Sequence, residues 1–376
     1  MNHTIEIHIV SFNIPYPPNY GGVIDVFYKL KALSELGVKI HLHCFKYDRP
    51  KSKELENYCK SVTYYDRPKS LSYFFSRKPF IVQTRSNKYL YKNLINDSFP
   101  IFFEGLHTTY FLKRFVEAKK RQIIVRTHNI EHDYYNALAK SEKNVFKKLF
   151  FFSEARKLKR YEHILESNIC IAAITEKDYL YFNGINQNSI HLPAFHPFNK
   201  VDIKSGSGNY ILYHGDLSVN ENIEAINFIM QEIASKVSFD FKIAGRNPGK
   251  KIIELIKKYN NVELISNPDQ DVMTELIQNA QINLLLTSQS TGIKLKLINA
   301  LHIGRYCIVN DKMIEGTQLE SLCSIKNLAK DIVEEIKTLF NKSFSEEEVQ
   351  NRKQTLLKIV NNTENAQKLI NLLDKN

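Results

Sequence analysis

Short apolar runs alternate with longer stretches of helical spacing from one end of the chain to the other. IEIHIVS (5–11), KIHLHCF (39–45), SVTYY (61–65), PIFFEG (100–105), QIIVRT (122–127) and ICIAAIT (169–175) are brief and rich in branched or aromatic residues, which predicts strands. Gly21 to Leu36 predicts a helix ended by Gly37, and further helical stretches are expected near 108–120, 141–166 and 176–183. The rhythm then repeats with NYILYHG (209–215), FDFKIAG (239–245), NVELIS (261–266), INLLLT (282–287) and RYCIVN (305–310), each followed by a helix-like segment. Continuous apolar runs separated by helices predict parallel sheets covered on both faces. Two such series predict an α/β protein of two doubly wound, Rossmann-like domains.

The stretch PAFHPFNKVDIKSGSGN (193–209), with two prolines and a Ser/Gly cluster, is the expected linker. A first domain is expected over 1–198, a second over 199–360, and a C-terminal helix over 361–376 that packs back on the first. Ser345 is expected to cap the penultimate helix, with acids in its opening turn. Open parallel sheets bind ligands beyond the carboxyl ends of their strands. The loops to watch are therefore SFNIPYPPNYGG, FEGLHTT, RTHNIEHD, HGDLSVNEN, AGRNPGK, ISNPDQD and TSQSTGIKLK.

Composition narrows the class. No apolar run approaches the roughly 20 residues of a membrane-spanning helix, and MNHTIEIHIVSF enters a strand at once, so a cytoplasmic protein is expected. The five cysteines are scattered without a C-x-x-C and read as reduced thiols. Charge is uneven: residues 1–198 carry 30 Lys+Arg against 18 Asp+Glu, and residues 199–376 carry 22 against 22. The whole basic excess lies in the first half and points to an anionic partner. KNVFKKLFFFSEARKLKR (143–160) and LSYFFSRKPF (71–80) mix phenylalanine with Lys and Arg, a pattern of segments that lie on anionic membranes. A core-facing amphipathic helix with a solvated basic side gives the same pattern. The expected partner is an anionic membrane surface at its inner face rather than a nucleic acid.

Several motifs carry chemistry in principle. His128-Asn-Ile-Glu131-His132 fits H-x-x-E-H, but a zinc site needs both histidines on one helical face and a third ligand. His128 directly follows the strand 122–127, a position that suits a binding residue or general base, or a histidine that caps the turn. Asp269-Gln-Asp271 spells D-x-D, yet aspartate opening a helix is explained by capping. GRNPGK (245–250) lacks a P-loop's spacing, although Arg246 at a strand end suits a phosphate contact. Gly21-Gly22 opens a helix after the first strand, where backbone N–H groups come close to a ligand. In TSQSTGIKLKLINALHIGRYCIVND (287–311), a helix is expected from about Gly292 with Lys294 and Lys296 in its first turn. Cations there oppose the helix dipole, and a bound phosphate reverses that cost. A solvated lysine pair is the other reading.

Taken together, these segments resemble the GT-B glycosyltransferases of the family 4 type. IPYPPNYGGVIDVFYKLKALSELGVKIHLHCF is similar to the start of their acceptor domain. RTHNIEHDYY and KRYEHILESNICIAAITEKDYLYF are similar to its later elements. GDLSVNENIEAINFI and AGRNPGK resemble the opening of the donor domain, and STGIKLKLINALHIGRYCIVNDKMIEGT its GxGxxxKxLEAMAxGxPVV-type block. The resemblance implies two Rossmann-like domains facing across a cleft, a nucleotide-sugar as co-substrate on the second, and a saccharide or lipid-linked saccharide acceptor on the first. It implies glycosyl transfer with retained anomeric configuration, no metal and no further cofactor, in the synthesis of a bacterial surface polysaccharide. By motif position Gly292, Lys294 and Lys296 meet the diphosphate, with Arg246 and Glu315 as further donor contacts. His128 faces a sugar as the catalytic candidate, and Gly21, Gly22, Glu104, Asn129 and Glu131 line the acceptor side. Thr291 and Asn299 stand where the family has two glutamates, and HGDLSVNEN lacks its usual Arg…Lys pair. A GT-B-shaped scaffold without activity, or a zinc hydrolase built on His128, Glu131 and His132, are the competing expectations.

Overall fold

The computed structural model describes residues 5–118, 121–288 and 294–374. Thr291 and Gly292 lie outside the described residues. The chain divides into two compact units, one built mainly from the residues up to Pro197 together with those from Val360 onward, the other from Phe198 to Ile359.

Unit 1 holds a seven-stranded sheet in the order β3-β2-β1-β4-β5-β6-β7. Its strands are β1 (Glu6–Ser11), β2 (Lys39–Lys46), β3 (Ser61–Asp66), β4 (Ile101–Glu104), β5 (Ile123–Thr127), β6 (Cys170–Ala173) and β7 (Ser189–His191), all paired in parallel. Successive side chains on a strand point to opposite faces, and here both faces are apolar. Ile9, Phe102, Ile124 and Ala172 pack into one buried cluster, while Val10, Phe103, Val125 and Ile171 pack into another. Helices cover both faces. The Gly21–Glu35 helix follows β1, and the C-terminal Asn362–Leu373 helix packs beside it, adding Ala366, Leu369 and Leu373 to the same cluster as Val26 and Leu30. The second apolar cluster is bounded by the Val145–Tyr161 helix through Leu158.

Unit 2 repeats the plan with six parallel strands, ordered β10-β9-β8-β11-β12-β13. They are β8 (Tyr210–Asp216), β9 (Asp240–Arg246), β10 (Val262–Ser266), β11 (Ile282–Leu285), β12 (Tyr306–Val309) and β13 (Ser324–Ile325). In each sheet the order reverses beside the first strand, between β1 and β4 and between β8 and β11, which marks the ligand end of a doubly wound fold. Gly245 lets β9 come close to β8: a Cβ there would stand 1.8 Å from the Gly215 carbonyl oxygen.

Local chemistry accounts for several boundaries. Ser345 Oγ accepts from Glu348 N at 3.1 Å, and Glu348 Oε2 accepts from Ser345 N at 2.8 Å, a reciprocal capping box at the start of the Glu346–Ile359 helix. Asp269 caps the Gln270–Asn279 helix by accepting from Val272 N, which accounts for the D-x-D sequence. Three expectations change. The stretch expected as one helix over 141–166 is preceded by a separate Glu131–Ser141 helix, with Asn144 capping the second by accepting from Lys147 N. β7 and β13, short edge strands, were not expected. The helix expected from about Gly292 begins, among the described residues, at Leu295, with Lys294 as its N-cap.

Candidate functional site

In unit 1 the carboxyl ends of β1, β4 and β5 deliver Phe12, Glu104 and His128 to one place. Pairing in register sets Glu104 opposite Arg126, two residues before His128. The Gly21–Glu35 helix starts beside it, and at Gly22 a Cβ would stand 2.7 Å from the tip of the Phe12 ring, which would have to shift. A pocket of about 300 Å³ opens at this point, lined among others by Gly21, Gly22, His128, Asn129 and Glu131. Five of the six sequence-predicted residues of this side line it. Glu104 lies behind it, fully buried, against His128.

Behind the pocket is a closed set of charges. Glu104 Oε1 accepts from Lys29 Nζ at 2.7 Å and Glu104 Oε2 lies 3.1 Å from His128 Nε2. Lys29 also donates to Asp25 Oδ2 at 3.0 Å. Arg126 donates to both Asp25 oxygens, at 3.2 and 2.9 Å, and to the carbonyl oxygens of Leu192 and Pro193. Asp25, Lys29, Glu104 and Arg126 are all fully buried. Burial opposes the charge on Asp25, but Arg126 and Lys29 outweigh it and hold the carboxyl well below its usual range. Burial likewise works against Glu104, and Lys29 with the His128 hydrogen bond brings its pKa below the ordinary value. Asp25, Glu104 and His128 lie close enough to ligate an ion, but Lys29 and Arg126 already supply the cationic partners of both carboxylates.

Glu131 faces the pocket in a different state. Burial, with Glu162 nearby, pushes its pKa up to about 8. Arg85 partly opposes that rise, and His107 Nδ1, 3.9 Å from Glu131, is held by burial well below the usual imidazole value. The zinc reading of H-x-x-E-H does not stand. The helix begins at Glu131, so His128 lies outside it, and the two histidines turn to different carboxylates: His128 to Glu104, and His132 Nδ1 to Glu162 Oε1 at 2.9 Å.

In unit 2 the polar chain at the strand ends joins Lys296, a sequence-predicted residue, to Asn222, which the sequence did not single out. Lys296, in the first turn of the Leu295–Ile303 helix, donates to Asn222 Oδ1 at 3.1 Å and lies over the Tyr213 ring. Tyr213 donates to the same Asn222 oxygen at 2.9 Å, and Asn222 Nδ2 donates to the Asp216 carbonyl oxygen at 2.9 Å. The Asp216 carboxylate in turn faces the exposed Arg246 at 3.8 Å, in register across β8 and β9. Burial lowers the Lys296 pKa to about 8, with Glu221 acting the other way. Buried His214, beside it, is lowered to about 3 by burial and by Lys296. Lys294 is buried at the helix start. Asn299 Oδ1 is buried with no hydrogen-bond partner among the described residues. Glu315 is exposed, at the end of the short Asp311–Ile314 helix.

Unit 1 also carries an apolar surface. Phe75 is 91% exposed and Phe146 84%, and the segments that bear them are joined by Phe74 packing on Phe150 and by Lys157 donating to the Phe74 carbonyl. Among the described residues no helix is long and apolar enough to cross a membrane.

Comparison with known proteins places this geometry. Residues 208–342, within unit 2, match the family described as Glycosyl transferases group 1. An uncharacterised 44.6 kDa protein in the cps region of Klebsiella pneumoniae is 27% identical over 333 residues, covering 83% of this chain and 84% of that protein. The fold is similar to that of TarM, with a TM-score of 0.69 at 12% identity, over 100% of this chain and 99% of the other. It is also similar to WaaG, a glycosyltransferase involved in lipopolysaccharide biosynthesis (TM-score 0.63, 12% identity, 99% and 100% covered). A third similar structure is the lipopolysaccharide outer core galactosyltransferase WaaB (TM-score 0.63, 13% identity, 98% and 99% covered). At these identities the structures show the GT-B fold, and the family match is confined to residues 208–342.

Proposed function

We propose that the protein is a glycosyltransferase of the group 1 type, a reading supported by the matched domain and the GT-B fold, and that it moves a sugar from a nucleotide-sugar to a saccharide or lipid-linked saccharide in surface polysaccharide synthesis. The observation that carries this reading is Lys296: a cation withdrawn from water in the matched domain, at a helix start, held by the neutral Asn222 amide. Such a group gains most when an anion arrives, and the anion of this reaction is the diphosphate leaving group. In the transfer the bond from the anomeric carbon to the diphosphate oxygen breaks. A bond to an acceptor hydroxyl oxygen forms, and the hydroxyl proton departs. Retention of configuration without a metal ion follows the resemblance. Arg246 supplies a second cation for the leaving group, and the unit 1 pocket, lined by Phe12, Tyr134 and Tyr135 as well as His128, suits the faces and hydroxyls of the acceptor saccharide. The cps-region relative supports the place of the reaction in capsule-type polymers.

The acceptor is reached at an anionic membrane surface on its cytoplasmic face. Phe75 and Phe146 form the apolar contact, and the basic excess of residues 1–198 supplies the attraction. The protein is expected to sediment with phosphatidylglycerol-rich vesicles and not with phosphatidylcholine ones, and the double change Phe75→Ser, Phe146→Ser is expected to abolish that binding.

A screen of UDP-, GDP- and ADP-sugars against membrane extract, monitoring release of free nucleoside diphosphate, tests the central reading. One donor is expected to give release that depends on the extract. Silence with every donor contradicts it.

A further inference from the structure

We propose that Glu104, held by Lys29, is a positioning residue that fixes His128 as its Nε2–H tautomer and so presents Nδ1 to the pocket as a hydrogen-bond acceptor for a sugar hydroxyl. This inference rests on the reading of the unit 1 pocket as a saccharide site. The assignment of protons follows from the partners. Glu104 Oε1 is taken by an ammonium group that only donates, at 2.7 Å. Its other oxygen, 3.1 Å from His128 Nε2, is a carboxylate oxygen and only accepts. The proton between them is therefore on the imidazole nitrogen. A neutral imidazole carries one proton, so Nδ1 is left with its lone pair. Nδ1 is buried and has no partner among the described residues, while the ring lines the pocket.

Charge balance supports the neutral ring. Asp25 and Glu104 contribute two negative charges, and Lys29 and Arg126 two positive ones, all fully buried. A protonated His128 would add an unmatched charge to a closed set. The Phe12 ring, edge-on to His128 with centroids 5.4 Å apart, restrains it from the other side. Asp25 and Arg126 act one step further back, by anchoring Lys29 and the strand that carries His128.

The test reads the tautomer directly. In protein labelled with ¹⁵N-histidine, the His128 resonances are assigned by their loss in His128→Asn. The free protein is expected to show a protonated Nε2 and an unprotonated Nδ1. The double variant Lys29→Met, Glu104→Gln removes one charge of each sign and keeps the set balanced, so it is expected to fold. It is expected to show mixed tautomers and turnover lowered about ten- to a hundredfold, the scale of losing a group that orients a functional histidine, with the KM for donor unchanged. The single variant Lys29→Arg, which keeps both the cation and Glu104, is expected to retain the tautomer and most of the turnover. A protonated Nδ1 in the wild type, or an unchanged tautomer in the double variant, overturns the proposal. If the tautomers behave as expected but His128→Ala turns over normally, the hydroxyl contact is wrong. Failure of the wild type to release nucleoside diphosphate would instead be a failure of the glycosyltransferase reading, which the tautomer measurement does not depend on.

Discussion

Unit 1 buries two carboxylates, a lysine and an arginine and closes them on one another, so that every charge there meets an opposite one within 3.2 Å. Unit 2 half-buries Lys296 against a neutral amide and an aromatic ring. A closed set holds its shape without ligand and suits a pocket whose polar atoms must be fixed beforehand. A cation held by an amide and a ring, with Glu221 partly offsetting its desolvation, is stabilised further when an anion binds. The first unit is thus built to orient, and the second to receive charge.

The largest expected effect comes from opening the closed set. Asp25→Asn leaves Lys29 and Arg126 short of a negative charge and is expected to cost about 3–5 kcal/mol in urea unfolding, the scale for breaking a buried pair. A loss below about 1 kcal/mol would mean that the set is not closed, and the contrast with unit 2 would fall.

The next effect is a pair of opposed pH slopes. Glu131 in unit 1 has its folded pKa raised to about 8 from 4.5, so its contribution is full below 4.5 and is lost as pH rises to about 8. Lys296 in unit 2 is lowered to about 8 from 10.5, so its contribution is full above 10.5 and is lost as pH falls to about 8. Unfolding midpoints measured against pH are expected to lose the acid-side slope in Glu131→Gln and the alkaline-side slope in Lys296→Met. Slopes unchanged in both variants would remove the assignment.

These residues also show where the sequence runs short. The strands of both sheets were legible because a parallel strand buried on both faces must be apolar at successive positions, as in YCIV (306–309) and ICIAAIT. Gly21, Gly22, His128, Asn129 and Glu131 were found because the carboxyl ends of strands are where such folds bind. Asp25 and Lys29 were not found, since an i,i+4 acid–base pair on a helix is also the commonest solvent-exposed pattern. Only contact with Glu104 and Arg126, 75 residues from Lys29 and 101 from Asp25, shows that this pair is buried. Asn222 was hidden in the same way: its role depends on Lys296, 74 residues away. The helix start expected near Gly292 lies outside the described residues, among which the helix runs from Leu295 with Lys294 as its N-cap.

Smaller effects sharpen the same picture. Ser345→Ala removes one half of a capping box that, among the described residues, shares no hydrogen bond with Lys296 or Asn222 and is expected to cost about 1 kcal/mol, read as a lower thermal midpoint with normal nucleotide binding. Phe75→Ser and Phe146→Ser are expected to change stability by no more than about 0.5 kcal/mol, since both side chains are exposed. A larger loss in denaturant would show that these rings pack in the fold, and would remove them as a membrane contact.

The most direct test of the account is a calorimetric titration of the wild type and Lys296→Met with UDP, GDP and ADP and their sugars. One nucleotide is expected to bind the wild type and to bind the variant about ten- to a hundredfold more weakly, as losing about 1.5–3 kcal/mol of charge-assisted hydrogen bonding requires. Equal affinity in the two proteins, or no heat with any nucleotide in the wild type, would contradict a diphosphate held at Lys296.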